Sequence, residues 1–215
     1  MPSAGARRGK YLGFVAHEIK NPLATALWSC DQLKRMDQAD RSGPRAEKMI
    51  DASLRALRRM RRLVDDYFTI ERLREHGYDL RRESAELRAV VDGALAALSE
   101  KDGLSTQGWS VDVPADARVT GDVEMLKRAF RMLFEHMSKG GAQLTLSGHA
   151  LPSGSELLLR SSQPPQPLLP PAPEERPSGD PAGTVLGFAL AEAVLDAHGG
   201  TLRERDGALV VQLPK

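Results

Sequence analysis

The sequence has one cysteine, few aromatic residues and no long apolar run. Cys30 alone excludes an internal disulfide and any zinc or iron–sulfur site built from several cysteines, and it fits a reducing compartment. No apolar run approaches the ~20 residues that a membrane-spanning helix needs. The 30 basic and 29 acidic side chains leave a net charge of +1, so no overall field favours nucleic acid. These absences predict a cytoplasmic protein with no membrane span and no direct nucleic-acid partner.

The first part of the chain is predicted to form an antiparallel helical hairpin. Apolar residues recur three and four positions apart over 11–36, and a heptad seam runs through 45–75, with a turn at 37–44. A single hairpin has too little core, so we predict a homodimer through residues 11–75 that forms a four-helix bundle. The stripe of the first helix, which includes Cys30 as a predicted core residue, is Val15, Ile19, Leu23, Leu27, Cys30, Leu33 and Met36; the seam of the second is Met49, Ser53, Ala56, Met60, Leu63, Tyr67 and Ile70.

From about residue 80 the pattern changes to short strands and shorter helices. This predicts an α+β sandwich, in which helices cover a mixed sheet. The segment 163–181 holds eight of the fourteen prolines, so it is predicted to be an extended, mobile loop. We therefore divide the chain into domains 1–78 and 79–215, with a proline-rich lid at 163–182. Predicted strands are 80–83, 109–113, 118–120, 143–149, 156–161, 201–204 and 208–213, and predicted helices are 84–99, 122–138 and 184–198.

The strongest chemical signal is the run Phe14–Leu23, which reads FVAHEIKNPL. His17 lies off the apolar stripe, so its imidazole is predicted to point outward, and Glu18 follows it directly. Pro22 lacks the amide that would bond the Glu18 carbonyl, which loosens the backbone beside His17. An exposed imidazole next to a carboxylate suits a nucleophile with a nearby proton acceptor. The alternative is an ordinary surface histidine on a kinked helix.

This run resembles the H-box of two-component sensor histidine kinases, and the hairpin resembles their dimerisation and phosphotransfer domain. The resemblance implies that His17 accepts a phosphoryl group from ATP and that Glu18 is its acid/base partner. It also implies that Asn21 positions water when phosphate is removed from the partner. That partner is the receiver domain of a response regulator, and a separate sensor protein is a further candidate partner.

Two segments of the second half resemble the ATP-binding domain of these kinases, which is of the GHKL type. Residues 183–200 resemble the second glycine box, which implies ATP binding by Gly183, Thr184, Leu186 and Gly187; Val185 replaces a glycine of the family. Residues 122–139 resemble the N-box helix. This similarity implies that His136 stands where the family has its magnesium-binding asparagine, that Met132 replaces a polar residue, and that Lys139 contacts phosphate. Imidazole is a poorer partner than an amide oxygen for Mg²⁺, so His136 is a weak candidate ligand.

The first glycine box, D-x-G-x-G, is missing. After the strand at 157–160 the chain reads SSQPP, beginning at Ser161, and no carboxylate is present there to accept a hydrogen bond from adenine. A charge-assisted hydrogen bond is worth about 1.5–3 kcal/mol, so its loss weakens nucleotide binding. The basic residues among 55–62 are interpreted as a solvated helix face.

The sequence as a whole predicts a cytosolic histidine kinase with a divergent ATP-binding domain that uses ATP and Mg²⁺. Two alternatives remain open. One is a histidine phosphotransfer (relay) protein or pseudokinase whose second domain no longer uses ATP. The other is a non-enzymatic dimeric adaptor.

Overall fold

The computed structural model describes residues 4–38, 40–75, 78–102, 104–170 and 183–215. These residues form two compact units. The first contains the described residues up to Phe68, and the second contains those from Thr69 onward, except for Gly183. The division into domains after residue 78 remains a prediction. Among the described residues, no helix has the length and apolar character needed to cross a membrane.

The first unit contains the predicted hairpin except for the last six residues of its second helix. Helix α1 spans Ala4–Arg35 and helix α2 spans Pro44–Arg74, with a short 3₁₀ helix at Asp40–Ser42 between them. The guanidinium of Arg41 donates hydrogen bonds to the carbonyls of Lys34 and Met36, so it satisfies acceptors that the end of α1 leaves without helical partners. Helix α1 begins earlier than the predicted residue 11, and α2 agrees with the prediction to within one residue at each end.

The face that α1 buries differs from the predicted stripe. Leu23, Leu27 and Cys30 are exposed, so the prediction of Cys30 as a core residue is wrong. Val15 is buried as predicted, but further along α1 the buried face is shifted by one residue and uses small or polar side chains, among them Ala26 and Ser29. Small residues let two helix backbones approach closely, which leaves the larger leucines outside. In α2 most of the predicted seam is buried within the single chain, including Ser53, Ala56, Leu63, Tyr67 and Ile70.

The second unit is built on a five-stranded mixed sheet. Its strand order is β2-β4-β5-β7-β6, with β2 parallel to β4 and the other pairs antiparallel. Strands β1 and β3 form a separate antiparallel pair. The bounds are β1 Glu83–Glu86, β2 Ser110–Asp112, β3 Arg118–Gly121, β4 Leu144–Leu151, β5 Gly154–Ser161, β6 Thr201–Arg205 and β7 Ala208–Pro214.

Three helices cover this sheet: α3 (Leu87–Asp102), α4 (Val123–Met137) and α5 (Gly183–Ala197). The α+β architecture is confirmed, and so is the cap of α4, where the Asp122 carboxylate accepts a hydrogen bond from the Met125 amide at 3.1 Å. The start of α3 was predicted too early. Residues 83–86 pair with β3 instead, because that pairing satisfies backbone groups that a helix at this place would have used.

His198 ties the end of α5 to the start of α4. The side chain is fully buried; Nδ1 donates to the Val194 carbonyl at 2.7 Å, and Nε2 accepts from the Asp122 amide at 2.9 Å. The ring is therefore neutral, with both nitrogens satisfied. A Cβ placed on Gly121 would lie only 2.3 Å from the His198 ring, so this strand end requires glycine. Burial lowers the pKa of His198 below its usual value near 6.5.

This contact predicts a loss of stability in mild acid. A histidine whose pKa is lowered by folding binds its proton more readily when unfolded, so the free energy of unfolding falls as the pH drops below about 6.5. We expect H198Q to be less stable at pH 8 and to lose part of this pH dependence between pH 8 and 5.5. The measurement is urea unfolding followed by Trp109 fluorescence in a W28F background. Across this range Glu156 stays ionised, because its hydrogen bond from Arg205 lowers the pKa of that carboxyl.

The matched control is H149Q, at an exposed histidine on β4. It should keep the pH dependence of the parent protein. An unchanged dependence in H198Q would contradict this role of His198.

Candidate functional site

The predicted phosphoacceptor segment lies within α1, which continues without a break through Pro22. His17 is half-buried, and Asn21, one turn later, is exposed. Pro22 has no amide hydrogen to donate to the Glu18 carbonyl. In the next turn the Thr25 hydroxyl donates to the Asn21 carbonyl at 3.1 Å. The helix therefore leaves His17 and Asn21 accessible one turn apart.

Glu18 points into the hairpin. The residue is only 3% exposed, and its carboxylate faces the guanidinium of Arg59 on α2, with 3.8 Å between Oε2 and Nη2. The Arg59 Nε atom is buried without a hydrogen-bond partner. At this separation the two groups attract as charges without a well-formed hydrogen bond between them. Glu18 is therefore adjacent to His17 in the sequence, but its carboxylate points toward α2.

Arg59 is a residue that the sequence analysis missed. It lies in the basic run 55–62, whose other arginines are exposed as predicted, whereas Arg59 is half-buried. It follows Ala56 by three positions and precedes Leu63 by four, so the helical spacing already placed it beside the buried seam. A charge at such a position indicates an opposite charge on the facing helix.

In the second unit, α4 and α5 bring together several of the predicted nucleotide-site residues. His136 near the end of α4 is buried, and its ring meets Phe188 edge-on with 4.9 Å between ring centroids. Phe188 directly follows Leu186 and Gly187, which are both buried. Lys139 is exposed and begins a 3₁₀ helix, Lys139–Gly141, directly after α4. Gly183 and Thr184 form the first residues of α5.

The segment after β5 contacts this cluster. Nε2 of His136 lies 3.0 Å from the carbonyl oxygen of Leu168, and the Leu168 side chain is buried. The predicted mobile lid is therefore anchored at Leu168, while its residues 171–182 lie outside the described residues. At the start of the segment, the backbone amide of Gln163 donates a hydrogen bond to the Ser161 hydroxyl at 3.2 Å.

His136 does not fit a magnesium ligand in this arrangement. A carbonyl oxygen can only accept, so Nε2 carries a proton and cannot bind a cation while this contact holds. Mg²⁺ also prefers hard oxygen ligands to either imidazole nitrogen. Among the described residues, no group of three or more His, Cys, Asp or Glu side chains is arranged to hold a metal ion. Binding of magnesium through Nε2 would therefore require the Leu168 contact to open, and the magnesium role of His136 stays a prediction.

Comparison with known proteins agrees with the phosphoacceptor helix. Residues 7–76 match the family of His Kinase A (phospho-acceptor) domains. The sensor protein KdpD of Escherichia coli (strain K12) is 28% identical over 207 residues, which is 91% of this chain and 22% of the relative. The sensor protein SphS of Synechococcus elongatus is 26% identical over 239 residues, covering 97% and 55%. The chain thus spans about a fifth to about half of the length of these curated relatives.

Solved structures share the fold of the whole chain. The histidine kinase AdeS of Acinetobacter baumannii gives a TM-score of 0.69 at 16% identity, covering 92% of this chain and 97% of its own. The histidine kinase ThkA, in complex with the response regulator protein TrrA, gives 0.66 at 19% identity, covering 96% and 61%. The hairpin and the helix-covered sheet are therefore those of histidine kinases. Residues 7–76 therefore match the phospho-acceptor domain family, and the chain as described shares its fold with solved histidine kinases.

The Glu18–Arg59 pair predicts unequal effects of its two partners on stability. Removing Arg59 leaves a buried carboxylate without its counter-ion, whereas E18Q leaves an arginine that is 43% exposed to water. We expect R59A to lower the free energy of unfolding by about 1 kcal/mol, and E18Q to lower it less. Urea unfolding followed by circular dichroism measures both.

The matched control is R58A, which removes an exposed arginine one position away. It should leave the stability nearly unchanged. Equal losses in R58A and R59A would mean that Arg59 does not stabilise Glu18.

Proposed function

We propose that this chain carries a phosphoryl group on His17 and passes it to an aspartate in the receiver domain of a response regulator. The observation that carries the proposal is the accessible His17 in a matched phosphoacceptor helix, next to an ionisable group held by a partner on α2. Asn21 lies on the same side of the helix and is proposed to position water when the receiver is dephosphorylated. Cytoplasmic localisation stays a prediction from composition.

His17 and Glu18 have complementary roles in the proposed reaction. One imidazole nitrogen attacks the terminal phosphorus of ATP, and the bridging oxygen leaves with its electron pair on ADP, while Glu18 takes the imidazole proton. Adjacent residues on a helix point about 100° apart, so Glu18 turns away from Arg59 to do this. In the second step the receiver carboxylate attacks the same phosphorus, and the P–N bond breaks with its electrons returning to the imidazole.

ATP is the phosphoryl donor that the similarity to sensor histidine kinases supports. Lys139, close to the end of α4, is proposed to contact phosphate, and the amides at the start of α5, from Gly183 to Gly187, are proposed to face the triphosphate. Magnesium, when bound, supplies neutralisation of the charge on the phosphates. His136 is not proposed as its ligand, because Mg²⁺ prefers oxygen donors to imidazole nitrogen.

The hydrogen bond between His136 and Leu168 favours a second phosphoryl donor, the aspartyl phosphate of a receiver domain. A nucleotide domain that lacks the adenine-binding aspartate and has its metal position closed suits a relay. In that case the phosphoryl group reaches His17 from the aspartyl phosphate of one receiver and leaves to another. The chemistry at His17 is the same in both cases, since only the leaving group differs.

The proposed homodimer is supported by a different set of residues from the predicted seam. Large apolar side chains are exposed on both helices, and four of them lie one residue beyond a buried position, as Leu27 follows Ala26 and Leu54 follows Ser53. Because the helices are antiparallel, the same shift along each sequence brings both sets to one side of the hairpin. A second copy would cover this side. The exposed set is Leu23, Leu27, Trp28, Ile50, Leu54 and Leu57.

The phosphoacceptor role predicts a label that depends on His17. Incubation with γ-labelled ATP and Mg²⁺, or with a labelled phospho-receiver, should produce an acid-labile, base-stable phosphoramidate. The label should be absent in H17A under both conditions. Label from ATP supports a kinase, and label from the phospho-receiver alone supports a relay. No label from either donor would contradict the proposed function and favour an adaptor.

The apolar side of the hairpin predicts a dimer that one charge weakens. Burying Leu27 in both copies contributes about 3 kcal/mol, so L27D should raise the dimer Kd roughly a hundredfold. Analytical ultracentrifugation at micromolar concentration measures this. K48D places the same charge at an exposed polar position of α2 and should leave the dimer intact. A monomeric parent protein would contradict the proposed assembly.

A further inference from the structure

The residue at the predicted magnesium position holds the chain itself. His136 is 3% exposed, and its Nε2 donates to the backbone carbonyl of Leu168. The His136 ring also packs against Phe188 of α5, which it meets edge-on. The hydrogen bond and the ring contact of His136 therefore join α4, α5 and the segment after β5.

Leu168 is the anchor of an otherwise exposed stretch. The neighbouring residues from Ser162 to Pro170 are exposed or half-buried, whereas the Leu168 side chain is buried. Four of these nine residues are prolines, which have no amide to pair with a strand or helix. Prolines also restrict the free segment to extended conformations, so little chain entropy is lost when Leu168 binds. At its start, Ser162 exchanges two hydrogen bonds with the backbone of Gln143, and further along the Leu168 side chain and carbonyl oxygen attach the segment to the unit.

In the predicted nucleotide site, the space next to Gly187 is filled by a side chain of α4. A Cβ placed on Gly187 would lie 2.7 Å from the Sδ atom of Met132 on α4, so the thioether lies directly against this glycine. Met132 is buried and replaces a residue that the resemblance makes polar. The glycine therefore serves close packing of α5 on α4 in this arrangement.

We propose that the segment Ser162–Pro170 is an internal inhibitor of the nucleotide site, with Leu168 as its anchor and His136 as the residue that holds it in place. The proposal rests on the proposed placing of the nucleotide site between α4 and α5. A nucleotide binds after Leu168 leaves, and His136 then loses its carbonyl partner. ATP and the segment therefore compete, and every change that weakens the Leu168 contact favours ATP.

The proposal predicts a gain of affinity, which a misfolded variant cannot produce. In the full-length protein, L168S removes the buried anchor and should lower the apparent Kd for ATP about tenfold, because the open fraction rises. Isothermal titration calorimetry with ATP measures this in EDTA and again in Mg²⁺. L169S is the matched control, since Leu169 is half-buried and next to the anchor, and it should leave the Kd unchanged.

Replacement of His136 separates release of the segment from metal binding. H136N should tighten ATP binding in EDTA, where only release acts, and further in Mg²⁺, where an amide oxygen is a better ligand than imidazole. In EDTA the double variant H136N/L168S should bind no more tightly than the better single variant, because both substitutions open the same contact. Additive gains in EDTA would overturn the proposal that one contact closes the site.

Two further outcomes would contradict the proposal that the segment Ser162–Pro170 inhibits the nucleotide site. In one, the parent protein binds ATP as tightly as L168S. In the other, no variant binds ATP while a phospho-receiver still labels His17. The second result leaves the proposed phosphotransfer at His17 intact, so failure of the inhibitor and failure of the proposed function are distinguishable.

Discussion

The hydrogen bond from His136 to the Leu168 carbonyl is the contact on which the proposed inhibition depends. It places a proton on Nε2 of the ring, so that nitrogen cannot bind a metal, and it attaches the middle of the segment after β5 to α4. An asparagine at the same place is shorter and would offer an oxygen to a cation. One substitution on α4 thus converts a candidate ligand for a metal into a partner for the chain itself.

A comparable contact within one unit is found next to the predicted phosphoacceptor His17. Glu18, the predicted acid/base group, is directed at Arg59 across the hairpin rather than outward with His17. In both units, then, a residue at a position that the resemblance places in phosphoryl transfer is engaged by a residue of the same unit. The proposed transfer from ATP requires both contacts to open.

Local signals predicted the fold well. Asp122 caps α4, Gly199 has the positive φ of a helix stop, and Asp206 with Gly207 forms the tight turn before β7. These features depend on a few neighbouring residues. The errors concern choices made by distant partners. The hairpin buries Ala26 and Ser29 rather than Leu27 and Cys30 because α2 approaches closely there, and periodicity alone could not choose between adjacent faces. Arg59 and Leu168 were missed for the same reason, since each gains its role from another element.

The protonation of the His136 ring nitrogens tests most directly the proposal that the segment Ser162–Pro170 closes the nucleotide site. In full-length protein labelled with ¹⁵N-histidine, a long-range ¹H–¹⁵N spectrum distinguishes protonated from unprotonated ring nitrogens, and H136N identifies the signal. We expect Nε2 of His136 to be protonated and hydrogen-bonded, and this signal to change in L168S but not in L169S. An unprotonated Nε2, or a pattern unchanged by L168S, would contradict the proposed closure of the site.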